Sequence, residues 1–424
     1  MFHRWSLMFG VAMSTFVIMP RLSAQSGRDT LGVLHLTRRE AVDSALAHNP
    51  QVRVAVEQLA EARARGVENT ALADPAFNTD LTPSNASPGS DIGVSLTVPF
   101  PTKVVLRHRQ SAADVQSAQF TVVQVREQLA SQTAQAYDAL LVALRHHSDL
   151  AQGDSLARVF LDKTQTRYAA GGVAHLDVIK AQVDLAQIET SLLANARDVA
   201  NARAALNRLV NRPLGAPIEA ADTLAVPASL PALERLEATA DSLRPELRGL
   251  ASARTSAGAA AALAQEFFLP DVSLGWARNS QAGAPASYTT SVGFSVPLFF
   301  WNHQRGEVAE ARHHEREVTA AYSDLQAQVD QDVRTSYATA ATSLAQVVYL
   351  RDALVPEARN AFDIALVSYG LGGSSALDVL SARRDLLDAE SQYADALAAA
   401  NDARADLERA VGAPLESIAP DDAR

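Results

Sequence analysis

One pattern occurs twice in this chain, about 200 residues apart. RYAAGGVAHLDVIKAQ (Arg167 to Gln182) returns as SYGLGGSSALDVLSAR (Ser368 to Arg383), and LNRLVNRPL (Leu206 to Leu214) returns as LERAVGAPL (Leu407 to Leu415). VPF (Val98 to Phe100) returns as VPL (Val296 to Leu298), and Asn49-Pro50 pairs with Arg244-Pro245. The offset drifts from 201 through 198 to 195, as expected for a duplicated unit with small insertions. Such a period is far too long for a solenoid repeat. The chain is therefore expected to build one body from two equivalent halves.

The first residues read as a secretory signal. Arg4 precedes a short uncharged apolar run from Leu7 to Met19, and Leu22-Ser23-Ala24 offers a small-residue cleavage site before Gln25. The run is too short to span a bilayer, and no other segment approaches the ~20 apolar residues a transmembrane helix needs. There is no cysteine, which excludes disulfides, thiol chemistry and a lipid-bearing Cys. Removing residues 1–24 takes away Arg4 and Arg21 and no acids, so the net charge falls from -11 to -13. An acidic exported chain is a poor nucleic-acid binder.

Each half runs helix, strand-rich patch, very long helix, Gly-Gly break, helix. Arg38 to Ala73 is helical by pattern, with continuity past Asn49-Pro50 left open. Thr102 to Ala170 contains no proline, and such a helix would be ~100 Å long. The second half repeats it from Asn302 to Leu371, with a kink or break expected at Pro356. Val122, Val125, Leu129, Gln132, Ala136, Leu140 and Ala143 form a stripe at coiled-coil spacing.

The patches between helices alternate instead. Ile92, Val94, Leu96 and Val98 are separated by Gly93, Ser95 and Thr97, and Val292, Phe294, Val296 and Leu298 by Gly293, Ser295 and Pro297. Weaker alternation at Phe77 to Leu81 and Val272 to Trp276 completes two hairpins, with turns near Ser84–Ser90 and Ala282–Ala286. A soluble sheet would alternate similarly. However, ten of the 24 aromatic residues lie at or beside these patches, among them Phe77, Trp276, Phe294, Phe299, Phe300 and Trp301. That placement matches the aromatic girdles of outer-membrane strands. Four strands cannot close a barrel, and an open edge in hydrocarbon leaves backbone groups unsatisfied. The barrel must be shared: two chains would give eight strands, three would give twelve.

A duplicated helix–hairpin–long helix–helix unit with two Tyr-x8-Asp-Val segments, Tyr168 to Val178 and Tyr369 to Val379, resembles the TolC family of outer-membrane efflux channels. The segment PLFFWNHQRGEVAEAR (Pro297 to Arg312) is similar to the metal-efflux branch of that family, the CusC and CzcC relatives. The resemblance implies a mainly α fold with a small β part and a homotrimer. In it, four strands per chain make a shared 12-stranded membrane barrel above a long periplasmic helical tunnel. It also implies an exit duct in the outer membrane, loaded by a periplasmic adaptor and an inner-membrane pump of the RND type. Drugs or type I secretion substrates are the alternative cargo, and a periplasmic adaptor or coiled-coil scaffold is the alternative role. The expected organisation is a signal peptide at 1–24, a first repeat at 25–213 and a linker or equatorial segment at 214–231. A second repeat at 232–415 and a tail at 416–424 follow. Strands are expected at about 76–100 and 271–300, and helical hairpins at about 102–211 and 302–411.

The Gly-Gly breaks, Gly171-Gly172 and Gly372-Gly373, are the turns between paired helices, where positive φ is needed. By topology they lie far from the strands, at the periplasmic tip. Asp177 and Asp378 are expected either to cap the helices beginning there or, for Asp378, to line the axis as an acidic ring. The resemblance implies that Asp177 pairs with Tyr369 across neighbouring hairpins to hold the tip shut, and that Tyr168 and the four glycines form the turns an adaptor contacts. Arg383 and Arg384 are candidate partners for those acids. Ser374 and Ser381 stand where the best-known family member carries an Arg and an Asp. His146-His147 and His313-His314 are adjacent pairs pointing ~100° apart on a helix, a poor chelating arrangement, so no metal site is expected. No catalytic or cofactor-binding motif is present, so no enzyme activity and no cofactor are expected.

Overall fold

The computed structural model describes residues 33–82, 89–281, 283–295 and 303–418. The signal segment, most of the Ser84–Ser90 turn, the stretch with Val296, Leu298, Phe299, Phe300 and Trp301, and residues 419–424 lie outside these. The first half runs β1 (Leu34–Leu36), α1 (Arg38–His48), α2 (Pro50–Thr70), β2 (Ala76–Thr82), β3 (Gly89–Val98), α3 (Pro101–Ala169) and α4 (His175–Leu209). The second runs β4 (Ile218–Ala220), α5 (Leu233–Leu243), α6 (Pro245–Gln265), β5 (Asp271–Gln281), β6 (Ser287–Ser295), α7 (His303–Tyr349), α8 (Val355–Leu371) and α9 (Ala376–Val411).

The repeat is visible residue by residue. α1 and α5 both have 11 residues, and α2 and α6 both have 21. Asn49 and Arg244 are the N-caps of α2 and α6, each followed by proline at the first helical position, where its missing N–H costs nothing. The pattern Arg38 to Ala73 is thus two helices. Asn49 caps the second with its side-chain oxygen, accepting from Gln51 N at 2.8 Å, and donates to the Leu209 carbonyl at 2.9 Å. Both cores use the same positions: Ala41, Ala45, Val52 and Leu206 in one half, Leu236, Ala240, Leu247 and Leu407 in the other. The parallel pair β1–β4 is a feature the sequence did not reveal, because three-residue strands carry no usable alternation.

α3 is one unbroken helix of 69 residues, ~100 Å long. Along it Leu129, Leu140 and Ala143 are buried, but Gln132 is exposed, and the inward positions beside it are Thr133, Tyr137 and Asp138. The counterpart of α3 is interrupted by a π-helical turn at Leu350–Leu354, with Pro356 in the first turn of α8. A proline in mid-helix removes one backbone donor and crowds the preceding turn, and the wider turn accommodates it.

The strands form one antiparallel sheet in the order β2-β3-β5-β6, so β3 and β5 join the two halves over ten residue pairs. Registers align Phe77, Val94 and Trp276 in one row, Leu96, Leu274 and Val292 in the next, and Val98, Val272 and Phe294 nearest the helices. The opposite face carries Ser95, Gly275 and Ser291, then Thr97, Ser273 and Gly293. The apolar face is bare: Phe77 is 67% exposed, Val292 63% and Phe294 70%. β2 and β6 are open edges among the described residues. Lys103 fixes the sheet to α3 through a 2.9 Å ion pair with Asp271 and a 2.9 Å bond to the Leu269 carbonyl.

Candidate functional site

The two helical turns end the long hairpins at the opposite end from the sheet. In both, the backbone closes in the same way. Gly171 and Gly372 take φ of 74° and 84°, a conformation costly for any residue with a Cβ. Gly171 N–H donates to Tyr168 O at 2.9 Å and Gly172 N–H to Arg167 O at 2.8 Å. Gly372 N–H donates to Tyr369 O at 3.1 Å and Gly373 N–H to Ser368 O at 2.8 Å. This double closure satisfies carbonyls that a helix end would otherwise orphan. A matching clamp braces each hairpin higher up: Arg158 to Glu189 in the first and Arg359 to Glu390 in the second, each at 2.5 Å.

The side chains diverge. Tyr369 is 2% exposed, held by α3 of the other hairpin. The Arg167 guanidinium lies 4.6 Å over its ring and donates to its carbonyl oxygen, Phe160 packs at 5.2 Å, and its hydroxyl donates to Thr164 Oγ1 at 3.3 Å. Tyr168, its counterpart, is 46% exposed and touches only the His175 ring, 5.2 Å away, among the described aromatic contacts. The contact that the family resemblance implied between Asp177 and Tyr369 is not formed within this chain, because Arg167 and Thr164 occupy the tyrosine instead.

The two acids also part ways. Asp378 completes a capping box: its carboxylate accepts from Ser375 N–H and from Ser375 Oγ, both at 2.8 Å, while its own N–H donates to Ser375 Oγ at 3.2 Å. Those bonds hold the carboxyl below the usual aspartate range. Ala174 occupies the equivalent cap position in α4 and has no polar side chain to cap with; Asp177 N–H donates to the Ala174 carbonyl at 3.0 Å, and the Asp177 carboxylate has no hydrogen-bond or ion-pair partner among the described residues. The expected pairing of Arg383 with Asp177 or Asp378 gives way to a different pair. Arg383, 3% exposed, bonds Asp184 across α9 and α4. Arg384 is exposed, with no ion-pair partner among the described residues. Ser374 donates to the Ala365 carbonyl at 3.0 Å and so serves the turn. The Asp184 partnership had no signal in spacing, since the two residues are 199 positions apart on helices whose facing is set by tertiary packing.

The histidines are spread over separate polar contacts, with His146 on Asp395 at 2.9 Å and His147 on Asn195 at 3.2 Å. Among the described residues no group of three or more potential ligands is placed to hold a metal ion. No described helix is long and apolar enough to cross a membrane, which leaves the sheet as the element to test for that role.

Comparison with known proteins gives these features a context. The family model described as outer membrane efflux protein matches residues 41–212 and again 238–413. The cobalt-zinc-cadmium resistance protein CzcC of Cupriavidus metallidurans is 25% identical over 298 residues, 70% of each chain. The outer membrane channel CmeC of Campylobacter jejuni superposes with a TM-score of 0.76 at 17% identity, covering 88% of this chain and 85% of that one. The open state of the MtrE channel of Neisseria gonorrhoeae superposes with a TM-score of 0.75 at 20% identity, covering 89% of each.

Proposed function

The chain belongs to the outer membrane efflux protein family, and we propose that three copies assemble into the exit duct of a tripartite pump. It is an outer-membrane efflux channel protein with a helical part in the periplasm. The observation that carries the assembly is the sheet: four strands, a bare apolar face, a face of Gly, Ser and Thr, and two open edges. Open edges in lipid cost several kcal/mol per unpaired group, so copies must pair β6 to β2 until the barrel closes. Three copies give twelve strands, enough for a water-filled lumen lined by the small polar face. The helices, ~100 Å long, then descend as a tunnel toward a periplasmic adaptor and an inner-membrane pump of the RND type, which supplies the energy.

The cargo we propose is a divalent heavy-metal cation, on the strength of the likeness to CzcC. Asp378 of each copy would place a charge near the axis at the narrow end, favouring cations. Expression in a host lacking its own metal-efflux duct, with a matching adaptor and pump, should restore cobalt, zinc or cadmium tolerance. Restored drug tolerance without metal tolerance would instead assign the duct to multidrug export.

The membrane assignment is tested by face. Val94→Arg and Val292→Arg, on the bare face, should block outer-membrane assembly, since Arg near the midplane costs ~2–4 kcal/mol. Ser95→Arg, on the other face, should assemble into a detergent-stable trimer. Equal behaviour of both faces in fractionation and detergent sizing removes the barrel.

A further inference from the structure

We infer that Arg278 docks the phosphate of an anionic lipid in the outer leaflet, one on each copy around the barrel. Among the described strands, the bare face carries apolar residues, hydroxyls and a single charge, Arg278 on β5. The opposite face carries Asp80, Asp91 and Asp271, all acidic. Charge is thus sorted by sign between the faces, in a chain whose net charge is -11. Arg278 is exposed and has no hydrogen-bond or ion-pair partner among the described residues. The acids of the sheet project to the other side, so none of them neutralises it.

Depth decides what meets this charge. From Phe294 to Tyr288 β6 climbs ~20 Å along the strand, and a tilt of ~40° leaves ~15 Å of height between their rows. Phe268, exposed on the helix side of β5, stands at the lower aromatic level, and Trp276, stacked on Tyr288 at 5.9 Å, stands at the upper one. Arg278 faces Tyr288 in register, so it lies level with the upper aromatics, and Ser90 and Ser280 form the next row out on the same face. Because the helices are periplasmic, that end meets the outer leaflet. An arginine at the midplane would oppose insertion, but here its stem can lie on apolar surface while the guanidinium reaches the headgroups. A guanidinium matches phosphate with two parallel N–H···O bonds, and the Ser280 and Tyr288 hydroxyls flank it as further donors. Ile92, Val94 and Trp276, beside and below it, present bare apolar surface for acyl chains. A free phosphate ion gains only the polar contacts, whereas a lipid gains both sets.

This assignment rests on the trimeric barrel of the proposed duct, and the test uses full-chain trimers in detergent. The probe is a bis-phosphorylated glucosamine lipid, set against the same lipid with its phosphates removed, with bound copies counted by native mass spectrometry. Native trimers should take up the phosphorylated lipid, to three copies, about tenfold more tightly than the dephosphorylated one. Arg278→Gln should assemble and lose that preference, and Arg278→Lys, which keeps the charge but not the paired bonds, should retain part of it. Inorganic phosphate in large excess should not displace the lipid; displacement would show that the site reads free phosphate and would overturn the lipid assignment. Native trimers that bind both lipids alike, or Arg278→Gln trimers that keep the preference, overturn it too and leave the duct reading standing. The native comparison needs no variant, so it decides the matter even where a substitution blocks assembly. If the native chain forms no trimer, the barrel reading falls, and this assignment with it.

Discussion

The two tips have the same turn and opposite side-chain environments. At an offset of 201, Tyr168 answers Tyr369, Asp177 answers Asp378, and both glycine pairs close the same hydrogen bonds. One tyrosine is exposed and the other buried, and one aspartate carboxylate has no partner among the described residues while the other caps a helix. Two replacements account for most of this. Arg167, which covers Tyr369, faces a Ser at the equivalent position 368, so nothing reciprocates over Tyr168. Ser375, which caps α9, corresponds to Ala174 in α4. Duplication kept the backbone and let side chains diverge, so the first hairpin grips the second without being gripped in return. A pore built from alternating hairpins thus has one anchored and one freer tip per copy.

The largest test of that asymmetry is truncation of the tyrosines. Tyr369→Ala should cost roughly 3–5 kcal/mol, as expected for a large buried aromatic whose site cannot fully collapse. Tyr168→Ala should stay within about 0.5 kcal/mol, the range for exposed positions. Thermal unfolding of the helical signal in detergent measures both, and similar losses would mean that the tips are packed alike. Of intermediate size is an exchange of caps. Ser375→Ala should remove about 1 kcal/mol, whereas Ala174→Ser should add part of that by giving Asp177 the box that Asp378 has. If Ala174→Ser has no effect, the divergence lies elsewhere than in the cap.

Much of this was legible beforehand, for identifiable reasons. The unbroken α3, the break before Pro356, the turns at Gly171 and Gly372 and the alternation of Val94 with Ser95 all follow from local rules of helix, proline, glycine and strand. The split at Asn49 was visible as Asn-Pro but could be read two ways, since proline either breaks a helix or begins one. The partners of Tyr369 and Arg383 were not legible. Arg167 and Asp184 lie about 200 residues away, and only the packing of one hairpin on the other decides which face of each helix they meet. The family likeness implied that Tyr369 meets Asp177 across neighbouring hairpins; within one chain its ring and carbonyl are met by Arg167.

The smallest expected effect separates the tips from the seam where the two halves meet. There Asp402 on α9 is pushed up to about 7 by burial and by Asp138 across the seam, with Arg38 opposing and Asp406 adding to the rise. Glu127 on α3 is pushed up to about 7 by burial and by Glu246, with Arg244 opposing. A carboxyl raised above its unfolded value favours folding while protonated, so its contribution is full below about pH 4 and fades as pH rises through about 7. Asp378 has the opposite sign: its lowered value stabilises the cap above the ordinary aspartate range, and that support fades only in stronger acid. Between pH 8 and pH 5.5 the seam should therefore tighten while the second tip stays as it is. Hydrogen exchange, corrected for the intrinsic pH dependence of amide rates, should show extra protection near Glu127 and Asp402 at pH 5.5 and none near Asp378. Asp402→Asn with Glu127→Gln should abolish the difference by supplying neutral side chains at every pH. If the double variant keeps the full pH response, these two carboxyls are not its source, and the seam and tip do not differ in the way their charges predict.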